Sequence, residues 1–338
     1  MATQHTRRDF LARVGAAAAG VALTGATAPG CSDQPAGTNK RADKLARRVV
    51  IARDEKLAQG AVDEHRDLLR KLLNGSVQRL TGAPDAGAAW RGLFGRKDRV
   101  GIKVNTLGLS TQPAVADAVV AGLRHAGVPA ENIIIWDRFD VELQRAGYKL
   151  NASKQGVRCF GTDAEEAGRG YQGRIESSGR IGSCFSRIVA DQVDALISVP
   201  VLKDHNLAGV SLGMKNFYGA IHNPNKYHDH NCDPYIADVV AHRFIGPKWR
   251  LTVVDATRAQ YHAGPGQSLE HAWPFGGLIV SGDFVAGDAV AADLLEAKRK
   301  TEGLESLTDE KRPPVHIATA GARGLGEADL SRIERIEV

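Results

Sequence analysis

Three groups of side chains in this 338-residue sequence have the types and spacing that chemistry needs. The first is basic and rich in amides: Lys103 and Asn105 stand two apart in Gly101-Ile102-Lys103-Val104-Asn105, Lys203 and His205 stand two apart in Lys203-Asp204-His205, and Lys215-Asn216 follows. On extended backbone a spacing of two puts both side chains on one face. Ammonium groups supply point charge and amides supply directional bonds, a combination suited to a carboxylate or phosphate. Lys103, Asn105, Lys215 and Asn216 are therefore candidate ligands of a small anionic metabolite, which Lys203 and Lys103 hold. His205, whose imidazole ordinarily titrates near neutrality, is the candidate acid or base. Asp255 closes the apolar pair Val253-Val254 with no helical pattern behind it, and joins them as a candidate catalytic carboxylate.

The second group is metal-like. His222, His228, His230 and Cys232, with Asp233, lie in a stretch broken by Pro224 and Pro234. His228 and His230 chelate one divalent ion if the backbone there is extended, and diverge if it is helical. The plainer alternative is a hydrated loop with incidental histidines. The third group is Gly209-Val210-Ser211-Leu212-Gly213, a nucleophile-elbow pattern, with Asp255 and then His262 or His271 in hydrolase order. An elbow needs a strand directly before its serine, whereas Asp204-His205-Asn206 and the residues after them intervene, so the serine hydrolase is the weaker reading.

Apolar runs alternate with helical patterns along the chain. Strands are expected over 48–52, 99–105, 132–136, 195–202, 251–254 and 277–280, and helices over 63–80, 114–126, 235–244 and 285–298. Such alternation predicts an α/β fold of the doubly wound, Rossmann-like kind, a mostly parallel sheet with helices on both faces. In such sheets ligands collect beyond the carboxyl ends of the strands, where Lys103, Asn105, Asp137, Lys203 to His205, Asp255 and Asp283 all fall. Asp137 and Asp283 precede helical patterns and are expected to cap them. Lys103, flanked by Ile102 and Val104, needs a charged partner if it is buried.

The first residues read as processing signal rather than fold. Thr6-Arg7-Arg8-Asp9-Phe10-Leu11, followed by an uncharged small-residue stretch over 14–28, has the form of a twin-arginine leader, so residues 1–30 are expected to be recognised by the twin-arginine translocase and removed. Ala28-Pro29-Gly30-Cys31 offers a lipid-anchor site at Cys31, and residues 31–44 form a polar linker before a single α/β domain over 45–338. The expected location is extracytoplasmic, with no transmembrane span in the mature chain. The formal charge of +5 falls further when Arg7, Arg8, Arg13 and Asp9 are lost, and no basic run with interleaved aromatics appears, so nucleic acid is not an expected partner. Four widely spaced cysteines with no Cys-x-x-Cys give neither a disulfide framework nor an iron–sulfur cluster site.

Gly101 to Asn105, Asn132-Ile133-Ile134-Ile135, Val199 to His205 and Gly209 to Gly219 together resemble the bacterial and archaeal family catalogued as domain of unknown function 362. Asp283 with Gly287 to Ala292, and Gly324-Leu325-Gly326 ahead of Asp329, extend the resemblance from about residue 48 to the C-terminus. It implies that the family's recurring polar positions are Lys103, Asn105, Lys203, His205, Lys215 and Asn216. Relatives with twin-arginine leaders are common, and some add a ferredoxin-like cluster segment that this chain lacks. The reading that results is an exported enzyme, assisted by a metal or cofactor, acting on a small anion; the alternative of another class is a non-catalytic anion-binding lipoprotein.

Overall fold

Strand and helix alternate from the start of the computed structural model, which describes Leu45, residues 47–168 and residues 170–338. The expected leader, the Cys31 anchor site and the linker lie outside the described residues. β1 (Arg48–Arg53) leads through α1 (Glu55–Ala58) into α2 (Arg66–Thr81) and α3 (Ala86–Leu93). β2 (Val100–Val104), α4 (Pro113–His125), β3 (Ile133–Trp136), α5 (Asp140–Arg145) and β4 (Arg158–Cys159) follow. A hairpin of β5 (Glu176–Ser178) and β6 (Ile181–Ser183) precedes β7 (Ala195–Val199), β8 (Val201–His205), β9 (Gly209–Val210) and α6 (Gly213–Asn216). The chain closes with α7 (Tyr235–Ala241), β10 (Trp249–Gln260), β11 (Ala272–Trp273), β12 (Gly277–Ser281), α8 (Phe284–Thr301), α9 (Val315–Ala322) and β13 (Glu334–Glu337).

The main sheet runs β13-β1-β12-β10-β7-β2-β3-β4, and along this path β12 alone runs against its neighbours. The fold is therefore α/β with a mostly parallel sheet. Alternation along each strand splits its side chains between two cores. Val100, Ile102 and Val104 of β2 join Leu69, Leu73, Val77 and Leu80 of α2 and Val115, Val119 and Leu123 of α4 on one face. Trp136, Leu196 and Val254 face the other way, toward Ile236 and Val240 of α7 and Val285, Val290 and Leu295 of α8. Each fully buried aliphatic side chain of these faces contributes roughly 1.5–3 kcal/mol. Helix ends are set locally: Asp85 accepts from the Ala88 amide, Asp283 from those of Val285 and Ala286, and Pro113 opens α4.

Two expected strand ends are elsewhere. The run expected to stop at Leu202 breaks at Pro200, which has no amide hydrogen to give to a ladder, and resumes as β8 alongside β10 through His205. Lys203, Asp204 and His205 thus belong to a buried strand rather than to an open rim. The strand expected over 251–254 runs on to Gln260, which leaves Asp255 in mid-strand. No helix among the described residues is long and apolar enough to cross a membrane.

Candidate functional site

Beyond the carboxyl ends of β2, β3 and β8 lies a cavity of about 490 Å³. Its wall includes Lys103, Asn105, His205, Lys215, Asn216 and His228, so six of the sequence-predicted residues converge on it, together with Ser211. Asp137, Arg138, Glu142, Asn206, Tyr218 and Asn225 add to the polar lining, and Leu107, Phe139, Leu207 and Leu212 supply apolar wall.

Lys103 is buried on the floor. Its Nζ lies 2.6 Å from Asp137 Oδ1 and donates to Val104 O at 2.6 Å and to Asn216 Oδ1 at 3.0 Å. Three acceptors match the three hydrogens of an ammonium. Burial lowers the lysine pKa and the Asp137 charge opposes that fall. Asn216 returns a bond from Nδ2 to Lys103 O at 2.9 Å and another to Ser198 Oγ at 3.1 Å. Asp137, expected to cap a helix, instead pairs with Lys103 and accepts from both the Thr106 amide and its hydroxyl at 2.8 Å. Gly219 covers this pair so closely that a Cβ there would lie 2.8 Å from Lys103 Cε and 3.0 Å from Asp137 Oδ1. Lys103 and Asn216 therefore build the floor, a correction to their expected role as free anion ligands.

Lys203 is also placed differently from expectation. Its buried Nζ donates to Leu107 O, to Leu109 O at 2.9 Å and to Pro265 O at 3.3 Å, and burial lowers its pKa to about 7. It clamps two loops together behind the cavity and does not line it. Asn105 binds the same two leucine carbonyls through Nδ2, at 3.3 and 3.0 Å. Gly108 makes the clamp possible: its φ is +66°, and a Cβ would stand 2.1 Å from Pro265 O. Asp204 supports the same junction, accepting from the Gly264 amide at 2.6 Å and from Arg312 at 3.0 Å. Asp255, the candidate catalytic carboxylate, is likewise away from the cavity. It accepts from the Gln112 amide and from the Thr257 amide and hydroxyl, at 2.8, 3.0 and 2.6 Å, and burial pushes its pKa up to about 6.

His205 and Lys215 keep positions from which they can act on a ligand. Nδ1 of His205 accepts the amides of Leu207 at 3.1 Å and Ala208 at 3.2 Å, so the ring hydrogen sits on Nε2. Burial, then the Lys215 charge, pushes its pKa down to about 2, which makes the ring a fixed neutral donor rather than a titrating base. Lys215 Nζ lies 3.1 Å from His228 Nε2 and 4.0 Å from the centre of the Tyr218 ring. His228 gives its Nδ1 hydrogen to Pro224 O at 3.1 Å, which leaves Nε2 free to accept from the ammonium. Burial lowers the Lys215 pKa to about 8.

The remaining metal candidates do not form a ligand set with His228, although the Cys232 thiol lies 3.8 Å from the His228 carbonyl oxygen. His222 and His230 are exposed while Cys232 is buried. The reason is backbone conformation: His230, Asn231 and Cys232 have φ of 52°, 56° and 61°, a left-handed turn in place of the extended segment that would align His228 with His230. No group of three or more His, Cys, Asp or Glu positioned to hold a metal ion occurs among the described residues. Nor does the elbow assemble. Ser211 Oγ donates to Asp204 O at 3.3 Å, His262 Nδ1 meets Arg299 at 3.1 Å, and His271 Nδ1 meets Ser268 at 2.9 Å.

Arg138 and Glu142 are the functional candidates that sequence reasoning missed. Arg138 follows the strand-end Asp137 directly, and its Nε is buried with no hydrogen-bond partner among the described residues. Burial, then the Asp137 charge, raises the Glu142 pKa. His316, missed as well, is fully buried with neither ring nitrogen partnered among the described residues, and burial followed by the Lys215 charge lowers its pKa to about 3.

A family model described as a domain of unknown function (DUF362) matches residues 100–293, which carries β2 through most of α8 and the whole cavity wall. That span is shorter than the resemblance from about residue 48 to the C-terminus. No curated protein matches the chain.

Proposed function

The chain belongs to the DUF362 family, and from that premise we propose that the cavity is the active site of an enzyme that acts on a small anionic metabolite, a carboxylate above all. One observation carries the reading. Lys215 and Arg138 line a single cavity, and among the described residues neither forms an ion pair with a carboxylate. A planar guanidinium suits bidentate contact with a carboxylate, and the ammonium adds point charge. The neutral His205 Nε2–H is a donor fixed in one tautomer, suited to an oxygen that gains charge during reaction. Glu142, with its raised pKa, and His228, whose Nε2 accepts from Lys215, are groups able to move a proton. Titratable groups lining one cavity, several with shifted pKa values, support chemistry over simple capture. In this reading the leader over residues 1–30 places the reaction outside the cytoplasm.

Thermal melting with a panel of short carboxylates, 2-oxo acids and inorganic phosphate tests it. At least one anion should raise the Tm of the purified protein by mass action, and Arg138→Gln or Lys215→Met should remove the rise. If every rise persists in both variants, the anion binds elsewhere and the reading fails.

A further inference from the structure

We propose that Lys215 forms an imine with the carbonyl carbon of a 2-oxo acid, which makes Lys215 the covalent catalytic residue of this site. The inference deepens the anion-site reading: Arg138 would take the carboxylate, and the new element is a bond from Nζ to the adjacent carbonyl carbon. Three lysine ammonium groups lie at or behind the cavity, and their partners set them apart. Those of Lys103 and Lys203 each meet three acceptors, which leaves no hydrogen unpaired. Lys215 Nζ meets the His228 imidazole at 3.1 Å and the face of Tyr218 at 4.0 Å, with no carboxylate at ion-pair distance among the described residues. Two imidazoles share its part of the cavity, His228 at 3.1 Å from Nζ and His205, whose ring stacks on that of His228 at 5.7 Å between centroids. Desolvation beside cationic or basic groups is the setting in which a lysine amine becomes a nucleophile. The lowering of its pKa to about 8 by burial agrees with that setting.

The two imidazoles are held in complementary tautomers. His228 keeps its hydrogen on Nδ1, against Pro224 O, and presents Nε2 to Lys215 as an acceptor. His205 accepts two backbone amides at Nδ1 and carries its hydrogen on Nε2. The Lys215 ammonium passes one proton to His228 Nε2, and the neutral amine attacks the carbonyl carbon. The C=O π pair moves to oxygen, where His205 Nε2–H donates a hydrogen bond and the proton from His228 arrives. The carbinolamine, its nitrogen still carrying two hydrogens and the positive charge, then expels its hydroxyl, which leaves as water with one of those protons, and a protonated imine remains. One ammonium and one carbonyl give one protonated imine and one water, so no oxidant or reductant is needed.

Borohydride trapping tests this on the purified protein incubated with pyruvate, glyoxylate or 2-oxoglutarate. The reduced adduct from pyruvate, a carboxyethyl group, should map to the peptide containing Lys215 and should be lost in Lys215→Arg and Lys215→Met. Lys215→Arg keeps the charge, so retained thermal stabilisation by the same 2-oxo acid shows that this variant is folded and binding while the adduct is gone, which supports the proposal. No adduct at Lys215 with any of the three acids, or labelling equal to that of surface lysines, overturns it. If pyruvate stabilises the wild type but not Arg138→Gln, and no adduct forms at Lys215, the imine is excluded while the anion site stands.

Discussion

Lys103 and Lys215 carry the same charge and reach the same cavity, yet their surroundings give them different work. Lys103 has a buried carboxylate partner and two further acceptors, so Lys103→Met should strand Asp137 in the interior and cost about 3–5 kcal/mol of stability in denaturant unfolding. Among the described residues Lys215 has no such partner, and its charge is lost as pH rises through its lowered pKa of about 8. The sign follows directly: a bound carboxylate keeps its charge over this range, so affinity should be full below about pH 8 and should fall above it. His205, with a pKa near 2, adds no step on the acid side. Titration calorimetry from neutral to alkaline pH checks this, and Lys215→Arg should flatten the fall. Part of this residue-level arrangement was legible in the sequence. A lysine between Ile102 and Val104 signals a buried charge in search of a partner, and period-two spacing put Asn105 beside it. The identity of the partner was not legible, because Asp137 reaches Lys103 only through the pairing of β2 with β3.

At the scale of elements, the loop after β2 is held from three directions. Lys203 and Asn105 gather the carbonyls of Leu107 and Leu109, and Thr111 anchors the far end through its hydroxyl to Val199 O at 2.7 Å. Lys203→Met should release two loops at once, with faster amide exchange over residues 105–111 and 264–266 in hydrogen-exchange mass spectrometry, while amides of the β2 and β7 ladder stay protected. Exchange rates unchanged in both loops would show that the clamp is dispensable. Here the sequence was misleading for a physical reason. A lysine near a strand end reads equally as an anion ligand or as a clamp, and the deciding carbonyls sit on turns whose geometry depends on Gly108 and on the loop at Pro265. The histidine loop failed as a metal site for a similar cause, since three successive left-handed residues at 230–232 leave no pattern that residue type alone reveals.

For the whole molecule, the alternation of apolar runs with helical patterns was enough to set a mostly parallel sheet between two helical layers, and to point to the edge where the strands end. The shared edge follows from that topology: β2 and β3 end side by side, and β8 extends the line of β7 beyond Pro200, so residues more than a hundred positions apart in sequence reach one cavity. Arg138 shows the limit of such reasoning, because alternation locates the end of β3 but not which of the next residues turns inward. The account depends on Arg138 and Lys215 gripping the same small anion. A double-mutant cycle measured by calorimetric titration of pyruvate tests that claim most directly, using wild type, Arg138→Gln, Lys215→Met and the double variant. Each single change should weaken binding by roughly 10-fold or more, the loss of a charged hydrogen bond, with the double change less than additive because both act on one ligand. Binding of undiminished strength in both single variants would contradict the account.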